Sequence, residues 1–213
     1  MTTKSVVLIH GFGGSRYTLK KLESHLKKQG YHTVNIGYPS LLKSIESLAK
    51  PTIEKALNRC PNSNTIHFVT HSMGAILLRY YLRDHTIDNI GRVVMLGPPN
   101  GGSEIVDTLK KVPGSQLFKR LSGMQLGTGV NDIPKALGPT RLDVGIIAGN
   151  RSINPFLAAM LPETNDSRVT LTNTRLEGMI DYLVLPVSHV LMLRNPTVIE
   201  QTLYFLQNGS FKD

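Results

Sequence analysis

Apolar residues fall along this chain in short, nearly continuous runs, separated by stretches where they recur every three or four positions. The runs Val6 to Ile9, Thr33 to Ile36, Ile66 to Val69, Val93 to Leu96, Val144 to Ala148 and Val169 to Leu171 have the character of strands buried on both faces. Between them, Leu19 to Lys28, Ile45 to Leu57, Ala75 to Arg83 and Thr197 to Leu206 carry helical spacing. Strand alternating with helix predicts a mostly parallel α/β sheet of about six strands, with helices on both faces and ligands at the carboxyl ends of the strands.

The stretch from about Asn100 to Arg141 breaks that rhythm. Gly101-Gly102, Pro113-Gly114, Gly127, Gly129 and Gly138-Pro139 interrupt a weakly amphipathic sequence, so it reads as an insertion in a single domain. Long irregular connections in compact domains are often functional, which makes 100–141 a candidate cap or lid as well as an ordinary surface excursion.

The run Ile66 to Val69 continues as Thr70-His71-Ser72-Met73-Gly74 and then resumes at helical spacing through Leu78. This reads as a strand, a sharp turn and a helix with Ser72 at the turn. Such a turn lifts a serine hydroxyl clear of the sheet and sets it at a helix N-terminus, where negative charge is stabilised.

A serine nucleophile needs a base, an orienting acid and oxyanion donors. His189 is the histidine that follows both Ser72 and the later strands, whereas His85 stands too close, at the end of the helix that Ser72 begins. Asp166 lies in the loop after the Val144 strand, at the carboxyl end where an orienting carboxylate must stand; Asp181 is its rival, and Asp143 precedes its strand at the wrong end. Backbone N–H groups of Met73, directly after the serine, and of Phe12, in His10-Gly11-Phe12-Gly13-Gly14 after the first strand, are the candidate oxyanion donors. The glycine run fits neither phosphate-binding spacing.

Composition narrows the picture further. The chain has 213 residues, 40% hydrophobic and 18% charged, enough for one domain with a substantial core. Cys60 is the only cysteine, so no intramolecular disulfide forms. The net charge is +9; pairs such as Lys20-Lys21 and Lys110-Lys111 suit solvated helix faces, and a basic surface also attracts anionic membranes or substrates. No basic motif interleaved with aromatics points to nucleic acid. Met1 to Lys4 lead straight into a strand-like run without the apolar core of a signal peptide, so a cytoplasmic location is expected. No metal-ligand spacing is present; His25, His32 and His67 read as surface or core residues, and no cofactor is called for.

Three segments taken in order, Val6 to Gly14, Thr70 to Gly74 and Gly97-Pro98-Pro99-Asn100-Gly101-Gly102-Ser103, resemble the α/β-hydrolase superfamily, particularly its small bacterial lipase-like members. The resemblance spans most of the chain. It implies an α/β-hydrolase fold, a nucleophile at Ser72, an acid at Asp166 in Asn165-Asp166-Ser167-Arg168-Val169, a base at His189, and an acyl ester or lipid as substrate. Two positions depart from the family pattern: Thr70 replaces the first glycine of Gly-x-Ser-x-Gly, and Ser167 replaces the glycine after the acid. Acyltransferases and thioesterases share this catalytic plan, and a non-catalytic binding protein could share the fold.

Overall fold

The computed structural model describes residues 3–60, 63–118 and 120–212. Its centre is a six-stranded sheet, parallel throughout, in the order β2-β1-β3-β4-β5-β6. The strands are β1 (Thr3–Ile9), β2 (His32–Ile36), β3 (Ser63–His71), β4 (Ile90–Leu96), β5 (Val144–Gly149) and β6 (Asp181–Leu185). Four helices cover it: α1 (Lys20–Lys28), α2 (Ile45–Leu57), α3 (Met73–Asp84) and a C-terminal helix at Pro196–Asn208. Shorter helical turns lie in the connections.

Alternate residues of the strands feed two cores. Val7, Ile9 and Phe68 pack with Ile53 of α2 and Ile76 of α3, while Val6, Leu8 and Val69 pack with Leu22 and Leu26 of α1 and with Phe205 of the C-terminal helix. Each fully buried side chain of this size contributes about 1.5–3 kcal/mol, so a slip of one residue would misdirect a whole layer, and burial sets the register. Helix ends follow their sequence signals. The Ser44 side chain accepts the Ser47 N–H at the start of α2; Asn195 does the same for Val198, with Pro196 next in line, and Gly209 closes that helix in the left-handed conformation.

One expected strand is absent. Val169 to Leu171 does not join the sheet, because its backbone is already engaged: the Val169 N–H goes to the Asp166 carboxylate and the Leu171 N–H to the Thr164 carbonyl. The sixth strand is Asp181–Leu185, a half-buried edge paired with β5.

β1 lies between β2 and β3, so the strand order reverses direction at β1. The crevice above such a reversal is where open α/β sheets bind ligands. The loops after β1 and β3 meet there. Among the described residues no helix is long and apolar enough to cross a membrane.

Candidate active site

Ser72 directly follows β3 and is the N-cap of α3, with φ 51 and ψ −126. A serine in this region costs about 1–3 kcal/mol, and the surroundings hold it there. Its N–H continues the sheet ladder to the Leu96 carbonyl at 2.9 Å, and its own carbonyl accepts the Ala75 N–H. The turn also demands small neighbours. A Cβ on Gly74 would lie 2.6 Å from the Ile9 carbonyl oxygen, and one on Gly11 would lie 2.8 Å from the Ser72 Cβ. Thr70 meets no such limit, since it is an extended β3 residue paired with Ile9 and Met95. It is fully buried, and its hydroxyl has no partner among the described residues.

The structure brings Asp166 and His189 together. His189 Nδ1 donates to Asp166 Oδ2 at 2.7 Å, and both side chains are almost completely buried. With Nδ1 so engaged, Nε2 is the ring nitrogen left without a hydrogen-bond partner among the described residues. Asp166 Oδ1 accepts the N–H groups of Arg168 and Val169 at 3.0 and 2.9 Å, and the Asp166 carbonyl accepts the His189 N–H. Carboxylate and imidazole are thus locked by backbone from both sides. Ser167 stands at φ 87, the left-handed value that suits the glycine of the family pattern, and its hydroxyl accepts the Ile153 N–H.

Asp181 lies elsewhere. It opens β6 at the amino end of the sheet, where its carboxylate accepts the N–H groups of Tyr182 and Phe211. Asp143 likewise precedes β5, at the end remote from Ser72.

His71 joins the serine to the base. Its Nε2 donates to the His189 carbonyl at 3.0 Å, and the two rings lie 4.8 Å apart. Burial holds the His71 proton affinity well below its ordinary value, with the charges of His189 and Arg168 adding to the effect, so the ring stays neutral. Among the described residues no hydrogen bond joins the Ser72 hydroxyl to His189.

The N–H groups singled out in the sequence are those of Phe12, in the loop after β1, and Met73, at the start of α3. The N–H of Gly13 goes to the Ser40 hydroxyl at 3.1 Å and that of Gly14 to the Gly11 carbonyl. The Phe12 N–H has no acceptor among the described residues, and the Met73 N–H, in the first turn of α3, has none within its helix. Sequence reasoning missed Ser40, whose role exists only in three dimensions. Its carbonyl accepts the Ser122 hydroxyl, while the Phe12 ring lies against Gly123, so the loop after β1 is stitched to the 100–141 segment.

That segment lines an apolar cleft of about 570 Å³. Ser72 and Phe12 line it from the sheet, and Ile105, Leu109, Leu121 and Met124 from 100–141. Both ends of the segment are anchored by the buried Arg79 of α3, which donates to Asn100 Oδ1 at 3.0 Å and to the Gly138 carbonyl at 2.6 Å. Burial lowers the Arg79 guanidinium to about 10. A charge directly after the apolar run Ala75 to Leu78 is the sequence signal that could have found this anchor.

No protein-family model matches the chain, and no characterised protein matches it by sequence. Among solved structures it is similar to the mature form of the Bacillus licheniformis lipase BlEst2, with 21% identity and a TM-score of 0.69 over 96% of this chain and 89% of that one. It is also similar to the lin2722 gene product of Listeria innocua (19% identity, TM-score 0.67, 99% and 96% covered) and to the Pyrococcus furiosus esterase Pf2001 (18%, 0.61, 97% and 81%). The likeness is one of fold. With its parallel six-stranded sheet and helices on both faces, this chain has the α/β-hydrolase fold.

Proposed function

We propose that this chain is a serine hydrolase that cleaves carboxylic esters through an acyl-enzyme intermediate, with a lipase- or esterase-like substrate. The observation that carries the reading is the buried His189–Asp166 pair at 2.7 Å, bonded through the His189 carbonyl to His71, whose chain neighbour Ser72 stands at positive φ and lines an apolar cleft. A structural ion pair would explain the first feature but not the strained serine or the cleft. The fold likeness to lipase and esterase structures adds support.

In this mechanism Ser72 Oγ attacks the ester carbonyl while His189 Nε2 takes its proton. Asp166 fixes the ring tautomer and stabilises the imidazolium that forms. The N–H groups of Phe12 and Met73 stabilise the tetrahedral oxyanion. His189 then protonates the departing alkoxide, the acyl-serine remains, and water activated by the same histidine releases the acid. The 100–141 segment acts as a cap whose apolar side chains hold the acyl chain.

Labelling with a fluorophosphonate probe tests the proposal. Wild type should label and Ser72→Ala should not, with both proteins folded by circular dichroism; equal labelling, or none in wild type, overturns it.

A further inference from the structure

The cleft is apolar almost throughout, yet among the described residues that line it one is charged. Arg168 shares the cleft with Ser72, Phe12 and Val169. Its backbone is fixed twice over: the N–H donates to Asp166 Oδ1 at 3.0 Å, and the carbonyl accepts the Ser103 hydroxyl at 2.7 Å. Its guanidinium forms no ion pair or side-chain hydrogen bond among the described residues. Arg168 is exposed to solvent, whereas Arg79 is buried and its guanidinium is held by Asn100 Oδ1 and the Gly138 carbonyl. Arg168 therefore presents five unspent donors at the mouth of an apolar pocket, two residues from the carboxylate that holds His189.

We infer that the substrate is an acyl ester carrying an anionic group, phosphate or carboxylate, on its alcohol portion, and that Arg168 binds that group while the acyl chain occupies the cleft. The inference rests on the hydrolase reading above and names the substrate class of that same site. An arginine suits the task because its planar fork matches two oxygens of such a group at once. A purely neutral ester would leave the one cation among the described lining residues without an anionic partner.

Hydrolysis of decanoylglycerol and of decanoylglycerol phosphate, both kept monomeric, provides the test. Wild type should prefer the phosphate, with kcat/KM about tenfold or more higher. In Arg168→Gln the ratio of the two kcat/KM values should collapse towards one, mainly through KM for the phosphate, and Arg168→Lys should restore part of it. Rising salt should erode the wild-type preference. Free inorganic phosphate should compete only weakly, because the acyl chain supplies much of the binding.

Equal turnover of the two esters by wild type, or an equal loss for both in Arg168→Gln, overturns the inference. Ser72-dependent probe labelling without turnover of either ester also overturns it while leaving the hydrolase reading intact. Absence of that labelling removes both.

Discussion

Ser40 holds the backbone N–H of Gly13 on its hydroxyl at 3.1 Å, 27 residues away in sequence. Through this bond the loop after β2 fixes the peptide next to Phe12, whose N–H has no acceptor among the described residues; in the proposed mechanism that N–H serves the oxyanion. Ser40 is a positioning residue in this arrangement. Ser40→Ala should lower kcat about tenfold with little change in KM, less than the 10²–10³ typical for deleting a donor outright. Ser40→Thr should recover most of the rate. A rise in KM with unchanged kcat would show that the bond serves the cleft and not the oxyanion.

The acid can be identified by paired substitutions. Asp166→Asn should reduce ester turnover by about 10³- to 10⁴-fold, because the amide cannot hold the same tautomer of His189. Asp181→Asn should leave turnover within about threefold and act on stability, since that carboxylate accepts the Tyr182 and Phe211 N–H groups at the remote end of the sheet. Steady-state rates on a generic ester, with thermal melts alongside, distinguish the two.

Thr70 buries a hydroxyl without a partner among the described residues. Thr70→Val keeps the branched shape in an extended strand and removes the unsatisfied group, so it should leave stability unchanged or raise it by about 1 kcal/mol. Thr70→Gly should cost about 1 kcal/mol or more in this central strand. Urea denaturation measures both, and a marked loss in the valine variant would mean the hydroxyl is in fact bonded.

Stability should also decline in mild acid. Burial lowers the proton affinities of His10 and His71, and it brings that of His67 to about 4, helped by the charges of Lys4 and Arg92. Below pH 6.5 the unfolded chain binds protons that the folded chain refuses, so stability falls as pH falls, by about 1.4 kcal/mol per pH unit for each such histidine. The contribution of His67 is complete above pH 6.5 and lost as pH drops towards 4. His67→Gln, which can still accept the Arg92 N–H now received by Nδ1, should flatten the slope of urea midpoint against pH between 7 and 5. An unchanged slope would refute this assignment.

The sequence was most legible where burial alone decides structure. Continuous apolar runs marked the first five strands, and the order of serine, aspartate and histidine marked residues that the fold does gather at one end of the sheet, in the case of Asp166 and His189 by a direct hydrogen bond. It was least legible where the backbone has two suitors. Val169 to Leu171 is as apolar as a strand, but the Asp166 carboxylate takes the Val169 N–H, and the sheet closes instead with the half-buried edge beginning at Asp181. Ser40 and Arg168 carried no motif, because their importance lies in what surrounds them: a loop amide for one, an apolar cleft for the other.

The two ends of the turn around Ser72 answer to unlike neighbours. Gly74 is confined by carbonyl oxygens of Ile9 and His10, rigid atoms that no rearrangement of side chains can withdraw, whereas Thr70 occupies ordinary strand space. A serine elbow of this kind therefore needs one glycine, not two. Pattern scans that insist on both will pass over such chains, and a scan keyed to the serine and the glycine two positions after it would retain them.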